Sequence, residues 1–323
     1  MDGQLTSLRM NELASDIVEE MVDQASLLRV RMHRLASGAR VIDAGVAVDG
    51  GIEAGLALAE ICMGGLGNVT TTAVQIGGRS YPGLMVWTDH PAESCMASQY
   101  AGWAISVGKF FAMGSGPLRA HARVEHELFG KLEYEEHAAA GVLVLEGRML
   151  PTDEVAVWVG QKANLQPDQL TFVVAPTASL AGGVQISARI VETGLHKMET
   201  LGFDVRRVVS ALGTAPLPPV AKNDLKAIGR TNDCILYGGQ AHFTVRAGDT
   251  ELEQLAAQVP ASASRDYGTP FYEIFKQYEG DFYKIDPLLF SPAEVWLTST
   301  ETGRTFHAGI LNPDVLEASL YNS

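Results

Sequence analysis

Apolar residues in this chain recur with two periods, and the alternation between them outlines the elements. From Asn11 to Leu28, the residues Leu13, Ile17, Val18, Met21, Val22, Ala25 and Leu28 fall at i, i+3 and i+4 spacing, which predicts an amphipathic helix with Asn11 and Glu12 at its start. Arg40 to Val46 reads as a short strand entering a loop at Gly50-Gly51, and a second helix runs from Ile52 to Met63 before Gly64-Gly65. Thr70 to Ile76 and Leu84 to Trp87 are rich in β-branched and aromatic residues, so they are expected to pair as strands around a turn at Tyr81-Pro82-Gly83. Ser94 to Phe111 carries small residues at Ala97, Ala101 and Ala104 with Trp103, Ile105 and Phe110 between them, predicting a closely packed helix that stops before Gly114-Ser115-Gly116-Pro117.

Beyond it, the charged stretch His126 to His137 reads as a solvated helix face. Val142 to Leu145 is a buried strand, and Pro151-Thr152-Asp153-Glu154 opens a helix with Pro and acids in its first turn. Leu170 to Ala175 is a strand and Val184 to Leu201 a helix, followed by a Pro-rich passage at residues 215–219. Cys234 to Tyr237 and Phe243 to Val245 look like strands around two glycines, and Val295 to Thr298 with Thr305 to His307 form a strand pair across Glu301-Thr302-Gly303. Such alternation predicts a mixed α/β fold of two α/β domains, residues 1–150 and 151–323.

Composition supports a globular chain. It has 323 residues, 46% of them hydrophobic and 19% charged, enough for two cores on the rough prior of about 150 residues per domain. Apolar runs such as Ala138 to Leu145 fall far short of the about 18 residues a membrane span needs. Met1-Asp2-Gly3-Gln4-Leu5 lacks the basic start and apolar core of a secretory signal, so a cytoplasmic location is expected. The 24 basic against 38 acidic residues leave a net charge of −14, which repels a phosphate backbone and argues against nucleic-acid binding. Cys62, Cys95 and Cys234 are too far apart for a disulfide framework or clustered zinc site and read as buried thiols.

Most motifs fail on spacing. Gly65-Leu66-Gly67-Asn68-Val69-Thr70 begins like a dinucleotide fingerprint, but Thr70 replaces the last glycine and a helix precedes it. Walker, zincin, serine-hydrolase and kinase patterns are absent, and His121 and His126, five apart, do not share a helix face as metal ligands. One constellation survives, Gly182 to Lys197, in which Arg189 and Glu192 lie three apart on one helical face while Ile186, Ile190 and Met198 form a buried stripe. Ala188 and Gly194 would admit another backbone or a ligand. Spacing alone makes Arg189 and Glu192 an exposed ion pair worth less than about 1 kcal/mol.

Four passages together carry a family resemblance: Pro91-Ala92-Glu93-Ser94-Cys95-Met96-Ala97-Ser98-Gln99-Tyr100-Ala101-Gly102-Trp103, Ser115-Gly116-Pro117, Gln185-Ile186-Ser187-Ala188-Arg189-Ile190-Val191-Glu192-Thr193-Gly194, and Asn232-Asp233-Cys234-Ile235-Leu236-Tyr237-Gly238-Gly239. In this order and spacing the chain resembles the methenyltetrahydromethanopterin cyclohydrolases over nearly its whole length. The resemblance implies a homotrimer of two-domain subunits, each with an interdomain pterin-binding pocket. It also implies Arg189 and Glu192 as the catalytic pair and Ser94, Cys95 and Met96 as the substrate-binding segment opposite them, although Glu93 to Cys95 depart from the small-residue pattern of the archaeal members.

The implied reaction is reversible addition of water to a cationic methenyl carbon between two nitrogens, followed by opening to an N-formyl group. A carboxylate can take the proton of the attacking water, the part that falls to Glu192, and Arg189 would keep it ionised and orient the water. The carbon is already electrophilic through the substrate's own charge, so no metal or redox cofactor is expected beyond the carrier, tetrahydromethanopterin or its dephospho form. Two rivals stand beside this reading: a nicotinamide-dependent dehydrogenase of the same carrier, which needs a phosphate-binding loop, and a non-catalytic pterin-binding protein, which needs neither Arg189 nor Glu192. Trp87, Tyr100 and Phe271 are aromatic candidates for stacking on the pterin, with core packing as the alternative for each.

Overall fold

The computed structural model describes residues 8–280 and 284–321. Twelve strands are found among them: β1 (Arg31–Arg34), β2 (Arg40–Asp43), β3 (Gly67–Ile76), β4 (Arg79–Thr88), β5 (Trp103–Val107), β6 (Phe110–Ser115), β7 (Gly141–Glu146), β8 (Leu170–Ala175), β9 (Val208–Pro216), β10 (Gln240–Val245), β11 (Glu294–Ser299) and β12 (Thr305–Gly309). They build two six-stranded mixed sheets, ordered β1-β2-β8-β7-β6-β5 and β12-β11-β10-β9-β4-β3. β8 runs parallel to β2 and β7, and β10 parallel to β11; every other neighbour is antiparallel. The chain is thus a mixed α/β protein of two α/β units. β3 and β4 belong to the sheet otherwise built after residue 200, and β8 belongs to the sheet otherwise built before residue 147.

Burial explains which elements cover which sheet. In the first sheet, Ile42, Val142, Val144 and Val173 pack with Ala14, Val18 and Met21 of the helix Met10–Asp23 and Leu58 and Ile61 of the helix Ile52–Cys62. Val41, Leu143, Leu145, Phe172 and Val174 point the other way, onto Val155, Ala156 and Val159 of the helix Asp153–Ala163. Both faces are covered, which is why β7 and β8 read as continuous apolar runs. The second sheet buries Leu84, Val86, Ala211, Phe243 and Val295 against Ile190, Leu195 and Met198 of the helix Ile190–Thr200. Its other face carries Trp87, Leu212, His242 and His307 in exposed positions of one cross-strand row.

Several expectations are met: the second helix, the strand at Arg40, the buried strands β7 and β8, the helix after Pro151 and the terminal pair β11–β12, while the first helix ends at Asp23 and Ala25–Leu28 forms a separate short helix after a break at Gln24. Others are corrected. The β3–β4 turn lies at Gly77-Gly78, whose φ values of 57° and 80° suit a two-residue hairpin turn, whereas Tyr81-Pro82-Gly83 lies within β4. Gly83 marks a close approach there, because a Cβ would stand 2.3 Å from Val74 Cγ2 and 2.7 Å from the Ala215 carbonyl oxygen.

Ser94 to Phe111 is not one helix. A π-helix covers Ala92–Gln99, with Tyr100 N donating to the Cys95 carbonyl at 2.8 Å, and the rest is the β5–β6 hairpin turning at Gly108, where Trp103 and Ile105 face in and Ala104 and Ser106 face out. Cys234 to Tyr237 lies inside the helix Asp224–Gly238, capped by the Asn223 side chain on Lys226 N; the apolar run is buried on all sides and so lacks a periodicity of its own. The Val184–Leu201 helix is two helices, Leu180–Ser187 and Ile190–Thr200, broken at Ala188-Arg189. The charged stretch contains the helix His126–Leu132, but Glu136 beyond it is buried and accepts a bond from Asn11 N at 2.9 Å.

Candidate active site

The break after Ser187 shapes the site. Ser179 caps the first helix by accepting from Gly182 N at 3.0 Å, and the chain leaves helical geometry at Arg189 (φ −80°, ψ 9°) before restarting at Ile190. Glu192 therefore stands in the first turn of a new helix, where unpaired backbone N–H groups favour negative charge. Arg189 sits at the joint, free to reach sideways.

The Arg189 guanidinium reaches three neighbours. It donates to the carbonyl of Gln99, the last residue of the π-helix, to Ser115 Oγ at 3.2 Å and to Gln185 Oε1 at 3.1 Å. Gln99 returns a bond from its amide nitrogen to the Ala188 carbonyl at 3.2 Å, locking the π-helix end against the helical break. Gln185 in turn donates to Glu146 Oε2 at 3.4 Å, whose other oxygen takes the Thr177 hydroxyl. No ion pair joins Arg189 to Glu192 among the described residues, and both are buried, 7% and 5% exposed. The expected exposed pair is thus replaced by a buried arginine network beside a buried carboxylate.

A second arginine completes the frame. Arg119, fully buried, donates to the carbonyls of Met96, Ala97 and Ser98 at 3.4, 3.3 and 3.2 Å, and pairs with Glu125 Oε1 at 2.7 Å. Two guanidinium groups thus satisfy the orphan carbonyls at the C-terminal end of the π-helix, the end where cations are favoured. Arg119 also lies 5.2 Å from the centre of the Tyr100 ring, and Tyr100 stacks on His196 at 5.0 Å and 16°.

Glu192 faces these groups without bonding to any of them: no hydrogen bond or ion pair reaches its carboxylate among the described residues. Burial raises its pKa above the ordinary carboxylate value, with Arg189, His196 and Arg119 pulling in the opposite direction. Ser94, Cys95 and Met96 lie on the π-helix opposite, each fully buried, and burial together with the Glu192 charge pushes the Cys95 thiol well up. Gln99 Oε1 and Ser187 Oγ are buried without a hydrogen-bond partner. All three cysteines are buried and free.

Sequence reasoning did not single out Arg119, Tyr100 and His196 as parts of one cluster, nor Gln99 and Gln185 as the residues that hold Arg189. Gln99, Gln185 and Ser115 do fall inside the passages that carried the resemblance, the one signal that pointed to them. Gly194 admits the Phe243 ring rather than a ligand, since a Cβ would stand 2.6 Å from Phe243 Cζ. Of the stacking candidates, Tyr100 is engaged by His196 and Arg119, Phe271 is core beside Phe275 and Phe290, and Trp87 lies on the open face of the second sheet. A cleft of about 250 Å³ is lined by Ile52, Pro82, Leu180, Val184, Leu217 and Ala227 among others; Arg189, Glu192 and the 94–96 segment do not line it.

A largely buried carboxylate at a helix N-terminus, flanked by two arginines and a histidine and facing a π-helix tied down by hydrogen bonds, is suited to moving a proton in a hydrolytic reaction. Comparison with known proteins places this chain among such enzymes. The family model described as Cyclohydrolase (MCH) matches residues 9–320. Relatives named methenyltetrahydromethanopterin cyclohydrolase include one from Methylobacillus flagellatus, 48% identical over 310 residues, covering 96% of this chain and 94% of the relative. Others are from Methanococcoides burtonii, 41% identical over 310 residues (96% and 97%), and Methylobacterium organophilum, 45% identical over 315 residues (96% and 97%). The chain belongs to the methenyltetrahydromethanopterin cyclohydrolase family.

Proposed function

We propose that this enzyme, a hydrolase acting on cyclic amidines, converts 5,10-methenyltetrahydromethanopterin reversibly to N5-formyltetrahydromethanopterin, with Glu192 as general base. The observation that carries the assignment is the Glu192 carboxylate itself, on a residue only 5% exposed, beside two arginines and with no hydrogen bond or ion pair among the described residues. A carboxylate held in a largely buried position without a protein partner is costly unless water or a ligand reaches its oxygens.

In this reading water attacks the methenyl carbon and Glu192 takes one of its protons. Arg189 keeps the carboxylate ionised through its field and holds the π-helix end in register; Ser94, Cys95 and Met96 form the wall facing Glu192. The C–N bond to the second nitrogen then breaks, its electron pair stays on that nitrogen, which gains a proton, and the carbon becomes the formyl group. One proton is released overall. The cationic carbon supplies its own electrophilicity, so the reading calls for no cofactor beyond the carrier, and activity should survive exhaustive chelation. The family resemblance also supports a homotrimer, to be checked by light scattering, and a cytoplasmic location.

The direct test is optical. Purified enzyme mixed with the methenyl carrier should abolish its near-ultraviolet band without added nucleotide; a requirement for nicotinamide would favour the dehydrogenase reading, and binding without loss of the band the non-catalytic one.

A further inference from the structure

A base only 5% exposed must pass its proton on before the next turnover, because the reaction releases a net proton to solvent. His196 stands four residues after Glu192 on the helix Ile190–Thr200, so the two side chains share one face with Cβ atoms about 5–6 Å apart. Glu192 is buried and His196 is partly exposed, one turn nearer the water. Both ring nitrogens of His196 are without a hydrogen-bond partner among the described residues, while its ring is held flat against Tyr100 at 5.0 Å and 16°. That is an imidazole fixed in orientation with both nitrogens open, an arrangement suited to accepting a proton on one and releasing one from the other.

We propose that His196 is the exit for the proton Glu192 takes from water. The step balances without another reactant: the water O–H bond breaks to Glu192, the carboxyl O–H passes its proton to a neutral imidazole nitrogen directly or through one water, and the imidazolium loses a proton to buffer. In the cyclising direction the same path delivers a proton inward. The groups facing His196 suit this traffic. Glu192 and Glu199 lie on its own helix, and Glu199 is held by Lys131 at 2.7 Å. Tyr100 comes from the segment after the π-helix, and Arg119, beside Tyr100, is itself paired with Glu125. The inference rests on Glu192 being the base, and His196 acts through it.

The test uses the full chain with His196→Ala and His196→Gln, each checked by thermal melting against the parent. In dilute non-imidazole buffer both should lower kcat by about tenfold or more with KM little changed, and added imidazole should restore the alanine variant in proportion to its concentration. A purely structural histidine would not respond to imidazole. If kcat of both variants stays within about twofold of the parent, or the alanine loss is insensitive to imidazole in a protein that melts like the parent, the relay is wrong. Glu192→Gln separates this from the underlying assignment: an inactive Glu192→Gln beside an unaffected His196→Ala removes only the relay, whereas an active Glu192→Gln removes the base itself.

Discussion

Arg189 and Glu192 are three residues apart and both buried, yet the guanidinium bonds the Gln99 carbonyl, Ser115 and Gln185 and leaves the carboxylate without a partner. A direct bidentate pair would hold Glu192 ionised but would also occupy the lone pairs that, in the proposed reaction, receive a proton. Acting through space from a fixed position, Arg189 opposes the effect of burial on Glu192 while leaving its oxygens open. The fork is fixed because the π-helix end and the preceding helix both hold it.

This relationship sets what substitution of Arg189 does. Lysine retains the charge but cannot reproduce three directed bonds, so Arg189→Lys should lower turnover by about tenfold or more. Arg189→Gln removes the charge that pulls the Glu192 pKa down, so the acidic limb of the pH–rate profile should move to higher pH. Paired pH–rate profiles check both. Full activity in the lysine variant together with an unmoved acidic limb in the glutamine variant would reduce Arg189 to a packing role.

Glu192→Gln should separate activity from stability. Turnover should fall by about two to four orders of magnitude because the amide cannot accept the proton, while carrier binding survives. Stability should rise at neutral pH. The folded pKa of Glu192 is raised, so the stability it contributes is fully present below the unfolded value and is lost as pH rises through the folded value, and glutamine avoids that loss. Thermal melts at pH 5 and 8 should therefore show the largest gain over the parent at the higher pH; a lower melting temperature than the parent at both would contradict the unpaired burial.

The fold was legible in the sequence where one signal dominated. Val142 to Leu145 and Leu170 to Ala175 are apolar on both faces because helices cover both sides of their sheet, and β11–β12 alternates around a glycine turn. Residues 94–111 were not legible: small side chains suit a helix or a close-packed strand equally, and the π-helix depends on carbonyl partners from Arg119 and Arg189 that are distant in sequence. The break at Ala188-Arg189 has neither Gly nor Pro to announce it and is fixed by the Gln99 side chain. In the site, Arg189 and Glu192 could be named from the family resemblance, but their burial and the lack of a pair between them could not, because i,i+3 spacing reports a shared face and not what covers it.

Asp233 offers a stability test away from the site. It is buried in the helix Asp224–Gly238, accepts from Phe271 N at 2.8 Å and from the Ser319 hydroxyl, and burial pushes its pKa up to about 7. The folded chain thus keeps this proton where the unfolded chain has lost it, so stability should fall as pH rises from about 4 to about 7 and level off above, by an amount on the order of 4 kcal/mol. Asp233→Asn should flatten this slope, as urea denaturation at several pH values would show. An unchanged slope would assign the pH dependence elsewhere.

Arg119 tests whether the π-helix needs its cationic cap. Its guanidinium is fully buried and serves three consecutive carbonyls together with Glu125, so truncation leaves several acceptors without donors. Arg119→Met preserves much of the volume and removes every bond, and should cost about 3 kcal/mol or more. Arg119→Lys keeps the charge but cannot span the carbonyls and Glu125 together, so it should fall between the two. Because Arg119 also pulls the Glu192 pKa down, though less than Arg189 and His196 do, any residual activity in the methionine variant should show an acidic limb shifted upward by less than in Arg189→Gln. Denaturant midpoints and pH–rate profiles on the same preparations read both effects. A methionine variant as stable as the parent would mean that the π-helix carbonyls find other donors and that Arg119 does not hold the wall opposite Glu192.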